Sequence, residues 1–169
     1  PVNFLDAWGL EAVDQKNIPN GLIDQNDPAL GGIINMAASG CNFRSCQNVA
    51  EIETGTALTD DQIVKAACAL IASGAIDADM TVNDPDAVIN DAFDRLGQPD
   101  TTATVGWGGE EGQDPDYTIM WGDTPNNSNP DGADHARVGD GNENLLNDPY
   151  YPDINNMKHI YSNDVYIHK

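Results

Sequence analysis

The sequence predicts an α+β protein in which helices come first along the chain and an antiparallel sheet follows. Two observations lead to this prediction. Between residues 41 and 97 apolar side chains recur at the three- and four-residue spacing of amphipathic helices, and glycines end the patterns. After Gly97 the pattern changes to alternation of apolar and polar residues between turn residues, which is typical of short strands.

Each predicted helix has its own start or stop signal. A capping box or an N-cap followed by proline favours a helix start, and glycine favours its end. The predicted helices run from Cys41 to about Glu53, from the capping box Thr59-Asp60-Asp61-Gln62 to Gly74, and from Asn83-Asp84-Pro85 to Gly97.

Short alternating segments predict the sheet. The sequence Gly139-Asp140-Gly141-Asn142 indicates a hairpin turn between two of them. The predicted strands are Thr102 to Trp107, Tyr117 to Trp121, His135 to Val138 and Asn144 to Asn147, with one or two more in Met157 to Tyr161 and Asp164 to Ile167.

The length of 169 residues suits one domain with a full hydrophobic core. Residues 1 to 32 mix proline, glycine, asparagine and aspartate with short apolar groups, so they are predicted to form an irregular N-terminal arm. Residues 33 to 169 are predicted to form the single domain.

The chain is strongly acidic. Asp and Glu number 28 against 7 Lys and Arg, which gives a net charge of -21. Nucleic acid and anionic membranes would be repelled by such a surface, so neither is an expected partner. No apolar stretch is long enough to cross a membrane. The excess of aspartate favours an extracellular or secreted setting, where salt screens the self-repulsion.

Three separated residues suggest nucleophilic catalysis. Cys41 opens the first predicted helix, where the positive end of the helix dipole favours a thiolate, and its own amide could donate to an oxyanion. His135 begins a strand and could act as the base. Asp148 leaves the next strand of the predicted hairpin and could orient the imidazole. This chemistry needs no cofactor and no metal.

The other candidate residues have ordinary structural interpretations. Cys46 and Cys68 are predicted to lie in the core, His159 and His168 at the surface, and Arg44 to pair with a nearby Asp. Trp107 or Trp121 is expected to line the active-site cleft. The spacing Asp140-x-Asn142-x-Asn144 is similar to the start of a calcium loop, but Leu145 and Tyr151 stand where that loop has glycine and glutamate.

Residues 33 to 152 resemble the C39-like branch of the papain-like cysteine peptidases. The resemblance rests on Gly40-Cys41 before a helix, on His135-Ala-Arg-Val-Gly-Asp at a hairpin, and on Asn147-Asp148-Pro149-Tyr150. It implies a papain-like fold and hydrolysis of an amide in a peptide or in peptidoglycan through an acyl-enzyme. In that family a glutamine completes the oxyanion hole about six residues before the nucleophile, and here Asn35 holds that position. The family's common Cys-Gly-Pro is replaced by Cys-Asn-Phe-Arg.

These two departures leave a second interpretation open. The protein could be a catalytically silent relative that keeps the fold and acts as a secreted or virus-associated structural or binding protein, able to self-associate. A contact between Cys41 and His135 favours the hydrolase, and their separation or the burial of Cys41 favours the silent relative.

Overall fold

The computed structural model describes residues 40–106, 113–124, 132–149 and 157–169. Within these ranges three helices precede one five-stranded antiparallel sheet, so the predicted α+β class is confirmed. The predicted arm at residues 1 to 32, Asn35 and Trp107 lie outside the described residues. The elements are α1 (Cys41–Thr54), α2 (Asp60–Ser73), α3 (Pro85–Arg95), β1 (Thr102–Gly106), β2 (Tyr117–Asp123), β3 (His135–Asp140), β4 (Leu145–Asn147) and β5 (Lys158–His168).

The helix boundaries follow from local hydrogen bonds. The Thr59 side chain accepts a hydrogen bond from the backbone amide of Gln62, and the Gln62 side chain accepts one from the backbone amide of Thr59. These two bonds form the predicted capping box. Asp84 caps α3 by accepting from the amide of Ala87, and Pro85 occupies the first turn. The left-handed conformation of Gly74, with φ of 82°, ends α2. All three predicted helices are therefore confirmed.

The sheet has the strand order β1-β5-β2-β3-β4. The last strand of the chain thus lies between β1 and β2, and it is a single strand of 11 residues where the sequence suggested one or two shorter ones. β2 pairs with β3 so that Gly122 is opposite His135 and Trp121 is opposite Ala136. The pairing of β2 with β5 shifts register between Trp121 and Gly122, next to the position of His135.

The predicted hairpin joins β3 and β4, but its turn comes later than the sequence suggested, at residues 141–144. Glu143, with φ of 63°, takes the left-handed position that glycine would favour. Gly141 has a different role, because a Cβ there would collide with the carbonyl oxygen of Pro115. The Asp140 carboxylate accepts from the amides of Asn142 and Asn144 and from the Asn144 side chain, so it closes the turn.

The core lies between the helices and one face of the sheet. α1 packs against both α3 and β3, and α3 packs against β1. The fully buried aromatic side chains Phe43 and Phe93 are central to this layer, and burial of each contributes about 2 kcal/mol or more. From the sheet, the layer receives Ala103, Ile119, Ala136, Val138 and Val165. α1 therefore lies beneath the strands, where it contacts β3 and β2 as well as α3.

None of the helices in the described ranges is long and apolar enough to span a membrane.

Candidate functional site

Cys41 is the first residue of α1 and is half-buried. Gly40 precedes it at the N-cap and provides no side-chain cap. The first turn of α1 also contains no acidic residue, whereas α2 begins with Asp60 and Asp61 and α3 has Asp86 in its first turn. In so acidic a chain, α1 thus provides no carboxylate of its own to neutralise the positive end of the helix dipole at Cys41.

His135 begins β3 and is buried, and its Nε2 donates to Oδ1 of Asp148 over 2.8 Å. Asp148 is buried as well. The turn between β3 and β4 returns the chain so that these two residues, 13 positions apart, meet at one end of the hairpin. A buried carboxylate in this position fixes the orientation of the imidazole.

The Cys41 side chain lies in hydrogen-bonding contact with the His135 ring. Since Nε2 faces Asp148, Nδ1 is the ring nitrogen left for the sulfur. Burial disfavours the charged ring, but the hydrogen bonds to Asp148 and Cys41 and the negative charges of both partners outweigh it and raise the pKa of His135 from 6.5 to about 9. The ring therefore carries a proton near neutral pH and can donate it to a leaving group.

Four buried polar side chains form a stripe along α1, on the C-terminal side of Cys41: Arg44, Gln47, Asn48 and Glu51. Arg44 is fully buried and forms an ion pair with Glu51, with 3.0 Å between Nη2 and Oε2. Its guanidinium also donates to the side-chain oxygens of Gln47 at 2.6 Å and Asn48 at 3.0 Å. Glu51 in addition accepts from the amide of Leu58. The described ion-pair partner of Arg44 is Glu51, two turns along the same helix face, where the sequence suggested an Asp.

Asn48 connects this stripe to the hairpin. Its Oδ1 accepts from Arg44, so its Nδ2 is directed outward and donates to Oδ1 of Asn147 over 2.7 Å. Asn147 immediately precedes Asp148. The helix that carries Cys41 and the strand that leads to Asp148 are thus joined by a hydrogen bond between two side chains.

The sequence interpretation missed this stripe. Its polar residues recur at helical spacing, at positions 44, 47, 48 and 51. A polar stripe of this kind normally faces solvent. The one available signal was the placement of Arg44 and Glu51 seven residues apart on one face, which allows an ion pair. Burial of the stripe could not be read from the sequence, because it depends on contacts with other parts of the chain, such as those to Leu58 and Asn147.

The other predicted residues have the following positions. Cys46 is fully buried, and burial is the main cause that raises the pKa of its thiol far above the ordinary range. Cys68 is half-buried against the core, and His159 and His168 are exposed. Cys41, Cys46 and Cys68 are all free thiols. Asn35 is the one proposed catalytic residue outside the described part of the chain.

A cavity of about 440 Å³ lies between the start of α1, the start of α3 and the sheet, and its lining contains residues next to Cys41 but neither Cys41 nor His135. Asn42 and Trp121 both line it. Asn42 directly follows Cys41, and Trp121 is paired with the residue that follows His135. The Trp121 ring stacks on Tyr161 with 5.9 Å between centroids. Within the described ranges no cluster of His, Cys, Asp and Glu could hold a metal ion.

Comparison with protein-family models, with curated proteins and with solved structures finds no match to this chain. The assignment of a function therefore depends on the geometry of the site.

Proposed function

We propose that this protein is a papain-like cysteine hydrolase of the C39-like type, which cleaves an amide bond in a peptide or in peptidoglycan. The observation that carries the proposal is the position of the His135 ring, which contacts Cys41 at the start of a buried helix and holds Asp148 at 2.8 Å on Nε2. A thiol, an imidazole and a carboxylate in this order form the nucleophile, the acid-base group and the orienting group of a cysteine hydrolase.

In the proposed reaction the Cys41 thiolate attacks the amide carbonyl carbon, and the carbonyl π electrons move to oxygen. The amide of Cys41 donates to this oxyanion, and by resemblance Asn35 donates a second hydrogen bond. The oxyanion then re-forms the carbonyl, the carbon–nitrogen bond breaks, and protonated His135 gives its proton to the leaving amine. A thioester between the acyl group and Cys41 remains.

Water completes the cycle. Neutral His135 takes a proton from the attacking water, and the hydroxyl oxygen bonds to the acyl carbon. The carbon–sulfur bond breaks and returns the electron pair to Cys41 as a thiolate. The carboxylic acid leaves, and His135 keeps the proton. Asp148 remains ionised throughout and stabilises the imidazolium that each half-reaction forms or uses.

The geometry gives less support to the silent relative that acts only in binding or assembly. Separation of Cys41 from His135, or burial of Cys41, would favour that interpretation, whereas Cys41 is half-buried and in contact with the ring. Self-association and a secreted location stay predictions from the acidic composition.

Alkylation of the thiols by iodoacetamide at neutral pH tests the proposal. We expect Cys41 to react faster than a free cysteine in solution, because the His135 ring contacts it and it lies at the amino end of α1. Peptide mapping by mass spectrometry identifies the labelled residue. The variant Cys41→Ala should lose the fast phase, and Cys68→Ala should keep it. A Cys41 that reacts no faster than free cysteine contradicts the proposal.

A further inference from the structure

The cavity that Asn42 lines, one residue after Cys41, has two walls of different chemistry. One wall comes from the sheet and contains the stacked pair of Trp121 and Tyr161 together with the apolar side chains of Val105 and Ile119. The opposite wall is the segment from Val82 to Asp86, which leads into α3. The cavity is thus assembled from the start of α1, the start of α3 and the middle of the sheet.

The wall at α3 contributes two carboxylates. Oδ1 of Asp84 accepts from the amide of Ala87, and Oδ1 of Asp86 accepts from the amide of Val105 over 2.8 Å. Each bond fixes its carboxylate through one oxygen, and both residues line the cavity. Among the described residues that line the cavity there is no lysine, arginine or histidine. Its charge is therefore negative, and no described lining residue compensates it.

The aromatic wall is also fixed in place. The indole Nε1 of Trp121 donates to Oδ1 of Asn163 over 3.0 Å, which sets the plane of the ring. A cation held near the face of a tryptophan or tyrosine is attracted by the π electrons, and more strongly where water is partly excluded. Both rings are half-buried, so this wall can favour a cation and can also cover an aliphatic stem.

We propose that this cavity is the substrate subsite beside Cys41 and that it binds a side chain with an aliphatic stem and a terminal cation, such as lysine or arginine. The stem would lie against Val105, Ile119 and Trp121, and the cation would lie between the aromatic pair and the carboxylates of Asp84 and Asp86. The volume of about 440 Å³ accommodates one such side chain with its adjoining backbone. This inference rests on the proposed function and names its substrate class.

Binding to the Cys41→Ala variant tests the subsite without catalysis. The probes are four peptides, acetyl-Ala-Ala-X-Ala-Ala-amide, in which X is lysine, arginine, norleucine or glutamate, titrated by tryptophan fluorescence and calorimetry. We expect the lysine and arginine peptides to bind about tenfold more tightly than the norleucine peptide, and the glutamate peptide to bind most weakly. Norleucine keeps the stem of lysine without its charge, so it isolates the contribution of the cation.

Two substitutions connect this preference to the cavity. Asp84→Asn and Asp86→Asn remove a charge but keep an oxygen that can accept the same backbone hydrogen bond, so both variants should fold. Each substitution should reduce the ratio of the affinity for the lysine peptide to that for the norleucine peptide by about threefold. Asp94→Asn makes the same change of net charge on the exposed part of α3, outside the cavity lining, and should leave this ratio unchanged.

The outcomes separate the subsite from the proposed reaction. Equal binding of the lysine and norleucine peptides, no binding of any peptide, or an equal effect of Asp94→Asn overturns the subsite. If the subsite fails while Cys41 is alkylated rapidly in the wild-type protein, the hydrolase proposal stands with another specificity. If the lysine peptide binds as expected while Cys41 reacts like a free thiol, the hydrolase proposal fails and the cavity is a binding site for cationic peptides.

Discussion

Asn48 Nδ2 donates to Oδ1 of Asn147 over 2.7 Å, and this bond joins the helix that begins with Cys41 to the strand that ends before Asp148. Arg44 holds the Asn48 amide in the orientation that makes the bond possible. The distance between the nucleophile and the group that orients His135 is therefore constrained by side chains that do not touch the reacting atoms.

A double-mutant cycle of Asn48→Ala and Asn147→Ala should give a coupling of about 1 kcal/mol in the free energy of unfolding, the usual net contribution of a hydrogen bond between neutral groups. The measurement is urea denaturation of the wild-type protein, both single variants and the double variant. If the bond positions Asp148, Asn147→Ala should also slow Cys41 alkylation.

Conservative variants separate positioning from general stability. Asn147→Asp keeps an oxygen that accepts from Asn48, so it should recover more of the alkylation rate than Asn147→Leu. If the effects of Asn48→Ala and Asn147→Ala on the free energy of unfolding simply add, the two side chains are not coupled. The hydrogen bond between them would then contribute nothing to stability.

Substitution of Asp148 by Asn should lower the pKa of His135 from about 9, because it removes the carboxylate charge that stabilises the imidazolium while burial continues to disfavour it. NMR titration of the His135 ring protons measures the change. At pH 7 the wild-type ring should be protonated, and the variant should hold less of the protonated form.

Cys41→Ser should shift the pKa of His135 in the same direction, because the hydrogen bond and the charge of Cys41 both contribute to the raised value. The exposed ring of His168 serves as the reference in the same spectra. A pKa of His135 that is unchanged in both variants would show that neither side chain supports its protonated form.

Glu51→Gln should reduce the free energy of unfolding by about 3 kcal/mol, since it removes a carboxylate charge 3.0 Å from the fully buried guanidinium of Arg44. Replacement of both residues, as Arg44→Met with Glu51→Met, should cost less than the single substitution, because no uncompensated charge remains. Chemical denaturation of the three proteins tests this order.

The exposed pair of Lys65 and Asp61 provides the matched control. Its side chains remain 66% and 71% exposed, and its N–O distance is 2.6 Å. Asp61→Asn should change the free energy of unfolding by about 0.5 kcal/mol or less, because water screens the pair. A loss from Glu51→Gln as small as this would contradict the argument from burial.

Gly122→Ala should reduce the free energy of unfolding by about 2 kcal/mol and slow Cys41 alkylation. A Cβ at this position would lie 2.7 Å from the carbonyl oxygen of Lys158 and 2.5 Å from the Met157 side chain. The strands must then move apart at the residue that pairs with His135. Denaturation and the alkylation assay measure the two effects.

Gly106→Ala is the control for this substitution, because a Cβ at Gly106 meets no atom within 4 Å. It should leave the stability and the alkylation rate close to those of the wild-type protein. Equal losses from the two alanine substitutions would mean that the close approach at Gly122 is not the cause.

The sequence by itself determined the helices and the pairing of His135 with Asp148. The bonds that begin α2 and α3 form between residues at most three positions apart, at Thr59 with Gln62 and Asp84 with Ala87, so a short stretch of sequence contains the whole signal. His135 and Asp148 are linked by a hairpin, whose strands meet across one short turn. Their contact also follows from local sequence.

The tertiary structure decided the rest. β5 lies between β1 and β2, because pairing between distant strands depends on the burial of both faces and not on order along the chain. Contacts between distant parts of the chain also buried the stripe from Arg44 to Glu51, whose sequence is typical of an exposed face. They brought Asn42, Asp86 and Trp121 around one cavity. Local patterns specify which residues form each element, but only contacts between elements determine which polar residues lose water and which side chains meet at a site.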